Sequence, residues 1–450
     1  MNKLKSLIIN LPEDVERLVS YGDFTKSLEL IDLYMTRNIP QILKDRLIFE
    51  KDRIRRFKED YTYSFDEALS LAQKNIKDFT KEELEYLKDE RYADWIFIDG
   101  KIRFHNSFLK NSIKVHNALE NRLINPTSDN NSNILEETID EIIQNGEKKY
   151  FIHIKTGLRL KSNCIKPGET IRVHLPIPRG AQQIKNIKIL NTSHEPKIIS
   201  PVNHPQRTIY FEEIVKGKDE FTVEYSYENH IKYNILYPEK VSETQPTFYT
   251  EEWLPHIRFT TFLTELAKEI VGNEKNPLIK ARKIYDYITK NVQYSFVRQY
   301  AAITSIAEYA AYNLKGDCGI QAMLFITLCR IVGIPARWQS GLVTNPNRIG
   351  CHDWAEFYIE PFGWIFADPS FGGGGLKKGN QKKWNFYFGN LDPFRMVANS
   401  EFHYNFYPAK NFLRNDPYDN QAGEIECLHR PVFHNEYEII QKIIDIREIK

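Results

Sequence analysis

Apolar residues recur at three- and four-residue spacing over Asp23 to Asn38 and Ser64 to Lys77, which predicts amphipathic helices. Ser64-Phe65-Asp66-Glu67 and Thr80-Lys81-Glu82-Glu83 carry the Ser/Thr-x-x-Glu signature of helix starts. The period continues from Phe104 to Leu123 and carries His105 and His116. These read as ordinary helix histidines, because no third ligand type stands at metal spacing. Asn125 to Asn133 is a polar, turn-rich linker, followed by a short helix near Ile134 to Gln144. Beyond it the period changes to two. Thr170 to Pro176, Ile184 to Leu190, Thr208 to Phe211 and Glu220 to Tyr227 are short alternating runs broken by Pro and Gly, the pattern of a small antiparallel sandwich. Cys164 and His174 are isolated there and read as packing or surface residues. A Pro-containing connector, Leu236 to Pro246, leads to a region mixing helix and strand. Its helix at Asn276 to Asn291 turns Leu278, Ile279, Ile284 and Ile288 to one side.

The pattern predicts a multidomain α+β chain. A helical N-terminal domain spans 1–145, a β-sandwich 146–235, a mixed domain 236–400, and a C-terminal extension packing on that core 401–450. Length agrees in scale, since 450 residues hold about three domains of about 150. A hydrophobic fraction of 42% with 27% charged residues excludes a disordered or fibrous chain. Net charge is +1, so no electrostatic footprint for nucleic acid or an anionic membrane is expected. No apolar run has membrane-spanning length, and Leu7 to Ile9 is too short for a signal-peptide core. Five widely spaced cysteines make no disulfide framework, which points to a reduced, cytoplasmic protein.

Chemistry concentrates late in the chain. Gly316-Asp317 supply a turn and cap, and Cys318 opens a helix whose apolar residues Ile320, Leu324, Leu328 and Ile331 are buried; Gly333 and Pro335 end it. A sulfur at that position faces the positive end of the helix dipole, which lowers a thiol pKa. His352 follows in an alternating strand whose one face carries His352, Trp354, Glu356 and Tyr358. Pro361-Phe362-Gly363 turns the chain, and a second strand ends at Asp368. Nucleophile, base and orienter thus arrive in order, each at the end of a rigid element. The remaining cysteines read differently: Cys329 as core, Cys351 on the strand face opposite His352, and Cys427 near His429 and His434 without zinc-finger spacing. No metal site and no cofactor are expected. Gly372 to Gly379 lacks the order of a phosphate loop and reads as a mobile loop bordering the cleft.

The segment from about Asn276 to Pro369 resembles the core of the transglutaminase-like superfamily, the papain-type fold shared with peptide N-glycanase and bacterial cysteine peptidases. The motifs are Gly316-Asp317-Cys318, Leu328 to Arg337 (LCRIVGIPAR), His352-x-Trp354-x-Glu356, Gly363-Trp364 and Asp368-Pro369. The resemblance implies a transglutaminase-like catalytic core in the 236–400 domain, with a Cys318-His352-Asp368 triad. Asp368-Pro369-Ser370 departs mildly from the family's Asp-Pro-Thr. Tyr294, Gln299 and Tyr300 are candidates for the oxyanion-hole side chain, beside the backbone N–H of Cys318, and Asp317, Gly319 and Trp354 for the cleft wall. The implied reaction is thiol acyl chemistry on amide bonds of a peptide or protein, with hydrolysis favoured over transamidation because no calcium-loop signal is present. The alternative is a non-catalytic peptide- or protein-binding module that retains the fold.

Strand register makes a sharper expectation. A two- or four-residue hairpin loop would put Asp368 opposite Ala355, on the face away from His352. An odd loop, Glu360-Pro361-Phe362 with Ile359 paired to Gly363, puts it opposite Trp354 and diagonal to His352, with Cβ atoms within about 7–8 Å. An odd loop or a single bulge between 353 and 367 is therefore predicted.

Overall fold

The computed structural model describes residues 3–126, 132–162, 164–217 and 219–450, so most of the linker expected at 125–133 lies outside the described residues. The chain forms two compact units: residues 1–129 with 253–258 and 292–317, and residues 130–252 with 259–291 and 318–450.

The first unit is mainly helical. Its longest helix, Gln41–Asp60, buries Leu47, Ile54 and Phe57 with Phe24 and Ile31 of the preceding helix. The two predicted capping boxes form, on Phe65–Asn75 and Lys81–Asp89. The continuous helix expected over Phe104 to Leu123 does not form. Trp95–Ile98 and Lys101–Phe104 pair as a hairpin, and only Phe108–Val115 and Asn117–Glu120 are helical. The Asp99-Gly100 turn, with φ of +48° and +76°, closes the hairpin that takes Phe104 into a strand, so the helical part begins only at Phe108.

The second unit begins with helix α1 (Ser132–Asn145) and strands β1 (Glu147–Leu160), β2 (Thr170–Pro176), β3 (Ile184–Thr192), β4 (Ile198–Ile199), β5 (Thr208–Ile214) and β6 (Glu220–Lys232). Helices α2 (Thr261–Val271), α3 (Pro277–Asn291) and α4 (Cys318–Ile331) lead to β7 (Ala336–Asn345), β8 (Arg348–Ile359) and β9 (Gly363–Ala367). Then follow α5 (Pro369–Lys377), α6 (Gln381–Phe386), β10 (Phe388–Gly389) and β11 (Arg395–Asn399). The chain closes with β12 (Glu424–Cys427), β13 (Pro431–Val432) and β14 (Tyr437–Glu448).

Three antiparallel sheets result, in the orders β13-β12-β2-β5-β4, β14-β1-β6-β3 and β10-β9-β8-β7-β11. The first two contain the alternating runs of the expected sandwich, but both take in strands from beyond residue 420. Residues 401–450 divide: Asp419 and Gln421 bond to β7 and β8 of the third sheet, whereas β12 pairs with β2, and β14 pairs with β1 almost throughout their length. An edge strand left open on either sheet would expose a row of unpaired backbone groups, and the C-terminal strands cover it. One apolar core runs from Ile152 and Val223 of the sandwich to Trp354 and Met396 of the third sheet. Helix α4, buried along nearly its whole length, packs on β8 and β7. Among the described residues no helix is long and apolar enough to cross a membrane.

The glycine run past Asp368 is not a loop. It forms α5, with Asp368 at its N-cap and Pro369 at its first turn. Intrinsic propensity argues against a helix of four consecutive glycines, and packing overrides it. A β-carbon at Gly372 would run into the Tyr285 hydroxyl, which is buried and donates to the Trp384 carbonyl at 2.7 Å; one at Gly375 would crowd Lys383. Glycine lets α5 approach α3 and α6 closely.

Gly372→Ala is thus expected to destabilise the protein by about 1–3 kcal/mol through overpacking. Gly374→Ala, where a β-carbon meets nothing within 4 Å, should stabilise it by about 0.5–1 kcal/mol. Denaturant unfolding of the two variants checks both signs.

Candidate active site

The hairpin of β8 and β9 fixes the geometry. Ile359 pairs with Gly363 and Ala355 with Ala367, across the three-residue loop Glu360-Pro361-Phe362. This is the odd loop predicted from the spacing, and Gly363 at φ +77° supplies the left-handed residue such loops end on. Asp368 follows β9 directly, on the face of His352. His352 Nε2 lies 2.8 Å from Asp368 Oδ2.

Asp368 is wholly buried, and four donors converge on it. Oδ2 accepts from His352 and from Arg395 Nη1 at 2.9 Å; Oδ1 accepts from the Phe371 N–H and the Ser370 hydroxyl, each at 3.0 Å. Burial alone would raise its pKa, but His352 and Arg395 outweigh that and hold the carboxyl well below its ordinary range. The His352 pKa is lowered, chiefly by burial and further by Arg395, against the pull of Asp368. An ionised carboxylate only accepts hydrogen bonds, so the neutral imidazole carries its proton on Nε2 and its lone pair on Nδ1. Phe371, with its ring centroid 4.5 Å away, and Trp354, stacked at 6.0 Å, wall the imidazole in.

Arg395 and Asp392 were not found by sequence reasoning. Arg395 is fully buried; its Nε and Nη2 donate to Asp392 Oδ2 at 3.0 and 2.5 Å, and Tyr387 donates to the same oxygen at 2.9 Å. Its guanidinium lies 4.5 Å from the Phe371 ring centroid and 5.2 Å from that of Trp354. A cation leading the apolar run Met396-Val397-Ala398, three residues after an aspartate, was the available signal.

Cys318 is the first residue of α4 and is partly exposed. Its thiol donates to Asp353 Oδ2 at 3.3 Å, the residue after His352. The structure therefore joins His352 to Asp368 directly and brings Cys318 to the neighbouring position of β8. Asp353 Oδ1 also accepts from Gln421 Nε2 at 2.5 Å. Behind it Asp419, wholly buried, bonds to Asp353 and accepts from Ser340 at 2.5 Å. Burial, with Asp416 nearby, pushes the Asp419 carboxyl up to about 7.

The other expected residues divide. Trp354 is no cleft wall: it is fully buried, and its indole N–H donates to Gln339 at 2.7 Å. Gln299 is no oxyanion donor: its amide N–H groups go to Asp60 at 3.2 Å and Glu59 at 3.4 Å, and its carbonyl accepts from Arg56 at 2.7 Å. A long helix bordered by charged residues captures the glutamine. The Tyr300 hydroxyl donates to Asp317 at 2.5 Å. Tyr294 pairs with Gly316, and the Lys114 ammonium lies 4.6 Å over its ring. Gly319 is buried in the first turn of α4. Cys329 is core and Cys427 is buried in β12. Among the described residues no group of three or more His, Cys, Asp or Glu could hold a metal ion.

Residues 264–369 match the sequence model of the transglutaminase-like superfamily. An uncharacterised protein of Haemophilus influenzae is 28% identical over an alignment of 137 positions, covering 25% of this chain and 37% of the relative's length. A candidate cysteine protease from Cytophaga hutchinsonii aligns in structure over 67% of this chain and 90% of its own, at 16% identity and a TM-score of 0.40. The periplasmic domain of TgpA from Pseudomonas aeruginosa aligns over 55% of this chain and 95% of its own, at 13% identity and a TM-score of 0.30.

Arg395→Met leaves Asp368 and Asp392 buried without their shared cation, and should lower the unfolding free energy by about 3–5 kcal/mol. Asp419 gives a pH-dependent prediction. Its folded pKa, about 7, lies above the ordinary 3.8, so the folded state holds the extra proton. The stability it contributes is complete below about pH 4 and is lost as pH rises to about 7. Asp419→Asn should flatten the stability profile across that window, as followed by denaturant midpoints from pH 4 to pH 8.

Proposed function

We propose, from the premise that residues 264–369 form a transglutaminase-like superfamily domain, that this chain is a cysteine enzyme acting on amide bonds of a peptide or protein through a thiol acyl-enzyme. The observation that carries the reading is the fixed imidazole. Asp368, locked by Arg395, Ser370 and the α5 N-terminus, accepts from Nε2 and leaves Nδ1 as the base.

The reaction begins with the thiol turning from Asp353 to Nδ1 of His352, the adjacent residue of β8. Nδ1 takes the S–H proton, and the sulfur bonds to the amide carbonyl carbon. The helix dipole at the start of α4 and the backbone N–H of Cys318 favour the negative charge on sulfur and on the oxyanion. His352 then passes its proton to the amide nitrogen, the C–N bond breaks, and the amine leaves a thioester on Cys318. Water attacks that thioester, giving a proton to Nδ1, and the carboxylic acid departs as the thiol re-forms. We favour water over an amine as the acceptor. A site that depends on a reduced thiol suits the cytoplasm, the compartment proposed for it.

Cys318→Ala and His352→Gln should each lower kcat/KM on a cleaved peptide by at least about 10³-fold. Labelled peptides offered with and without a primary amine separate the two outcomes: amine incorporation well above hydrolysis would reverse the choice of acceptor. A thiol that reacts with iodoacetamide with the pKa of free cysteine, about 8.5, would count against an activated nucleophile.

A further inference from the structure

The first unit contains a cavity of about 540 Å³, large enough for a small organic molecule. Arg46, Arg53, Arg258 and Arg298 line it against two acids, Glu16 and Glu50, and Arg298 also pairs with Asp94 at 3.8 Å, which leaves an excess of one positive charge. Apolar wall is supplied by Phe24, Phe57, Trp95 and Phe97.

The buried charges on this wall are incompletely paired. Arg46 and Arg53, 4% and 6% exposed, both donate from Nη1 to one oxygen of Glu50, Oε2, at 2.6 and 2.9 Å. Arg53 Nη2 is fixed by the Ala302 carbonyl and the Thr304 hydroxyl. The Nε–H groups of Arg46, Arg53 and Arg298 are buried with no partner, and so is Oε1 of Glu50, itself 0% exposed. Buried polar groups are almost always hydrogen-bonded, so four orphans on one cavity wall are out of the ordinary. Three are cationic donors, which calls for an anion of acceptor oxygens; the fourth is an acceptor, which calls for a hydroxyl or amine on the same molecule. Arg298 also lies 5.4 Å from the Phe57 ring centroid, so its charge and the aromatic wall meet at one place.

We propose that this cavity is a binding site for a small organic oxyanion, a carboxylate or phosphate carried on an apolar ring or chain. The anionic head pairs with the guanidinium donors, and the apolar body lies against Phe24, Phe57 and Trp95.

The test uses the full-length Cys318→Ala protein, so that binding is read without turnover, and titrates it calorimetrically with phenylacetate, phenyl phosphate, octanoate, inorganic phosphate and benzylamine. Saturable one-to-one binding of at least one of the first three, with benzylamine silent, is the expected result. Phenylacetate against phenyl phosphate tells a carboxylate site from a phosphate site, and inorganic phosphate measures what the apolar body adds. Arg46→Lys, which removes the Nε–H and keeps the charge, should weaken binding by about tenfold. Arg258→Glu, at an exposed rim position, should weaken it by about threefold or more without touching the buried pairs. No saturable binding of any anionic probe, equal binding of benzylamine, or affinity unchanged in Arg258→Glu would overturn the proposal.

Discussion

The second unit is organised around one buried carboxylate. Asp368 ends β9, caps α5, orients His352 and neutralises part of Arg395, all through two oxygens. A charge with no solvent contact is tolerable only when every lone pair is engaged, and here four donors engage them. The same demand reaches further, because Asp368 takes only one N–H of the buried Arg395 guanidinium, and Asp392 takes those of Nε and Nη2. The chain Asp392–Arg395–Asp368–His352 is thus one electrostatic unit running from β11 to β8. Removing Arg395 leaves a buried carboxylate without its cation on both sides. The imidazole is held not by one hydrogen bond but by the packing of three elements around a single anion.

Much of this was legible in the sequence because parity is legible. Side chains alternate along a strand, so the spacing of His352 and Asp368 admitted only certain hairpin loops, and the observed pairing of Ile359 with Gly363 is one of them. Cys318 was legible because an apolar helix framed by Gly316 and Gly333 has an unambiguous start. Arg395 was not, since its partner Asp368 lies 27 positions away and the one local cue, Asp392 followed by a cation leading an apolar run, does not tell a buried cation from a solvated one. The helix over Pro369–Lys377 ran against propensity: four glycines read as a loop until Tyr285 and Lys383 show why nothing larger fits. The sandwich edges were hidden for a related reason. β14 pairs with β1 across nearly the whole length of the second unit, and pairing at such separation leaves no trace in local periodicity.

Two polar networks meet β8 at successive residues. His352 belongs to the Asp368–Arg395 network, in which the imidazole and a buried cation hold the Asp368 carboxylate ionised. Asp353 belongs to the Asp419–Ser340 network, where burial and a neighbouring acid hold a carboxyl protonated up to about pH 7. The contrast follows from where the arginine binds: Arg395 bonds the Asp368 carboxylate itself, whereas Arg414 bonds only the backbone carbonyl of Asp419. Alternation then sends the two side chains to opposite faces, so the networks stay separate although their backbone atoms are adjacent. Cys318 meets the second of them, through Asp353. Its thiol donates to Asp353, and the reading proposed above has it turn to His352, whose partner Asp368 is already aligned. One strand step thus lies between the acid that holds the thiol and the imidazole proposed as its base.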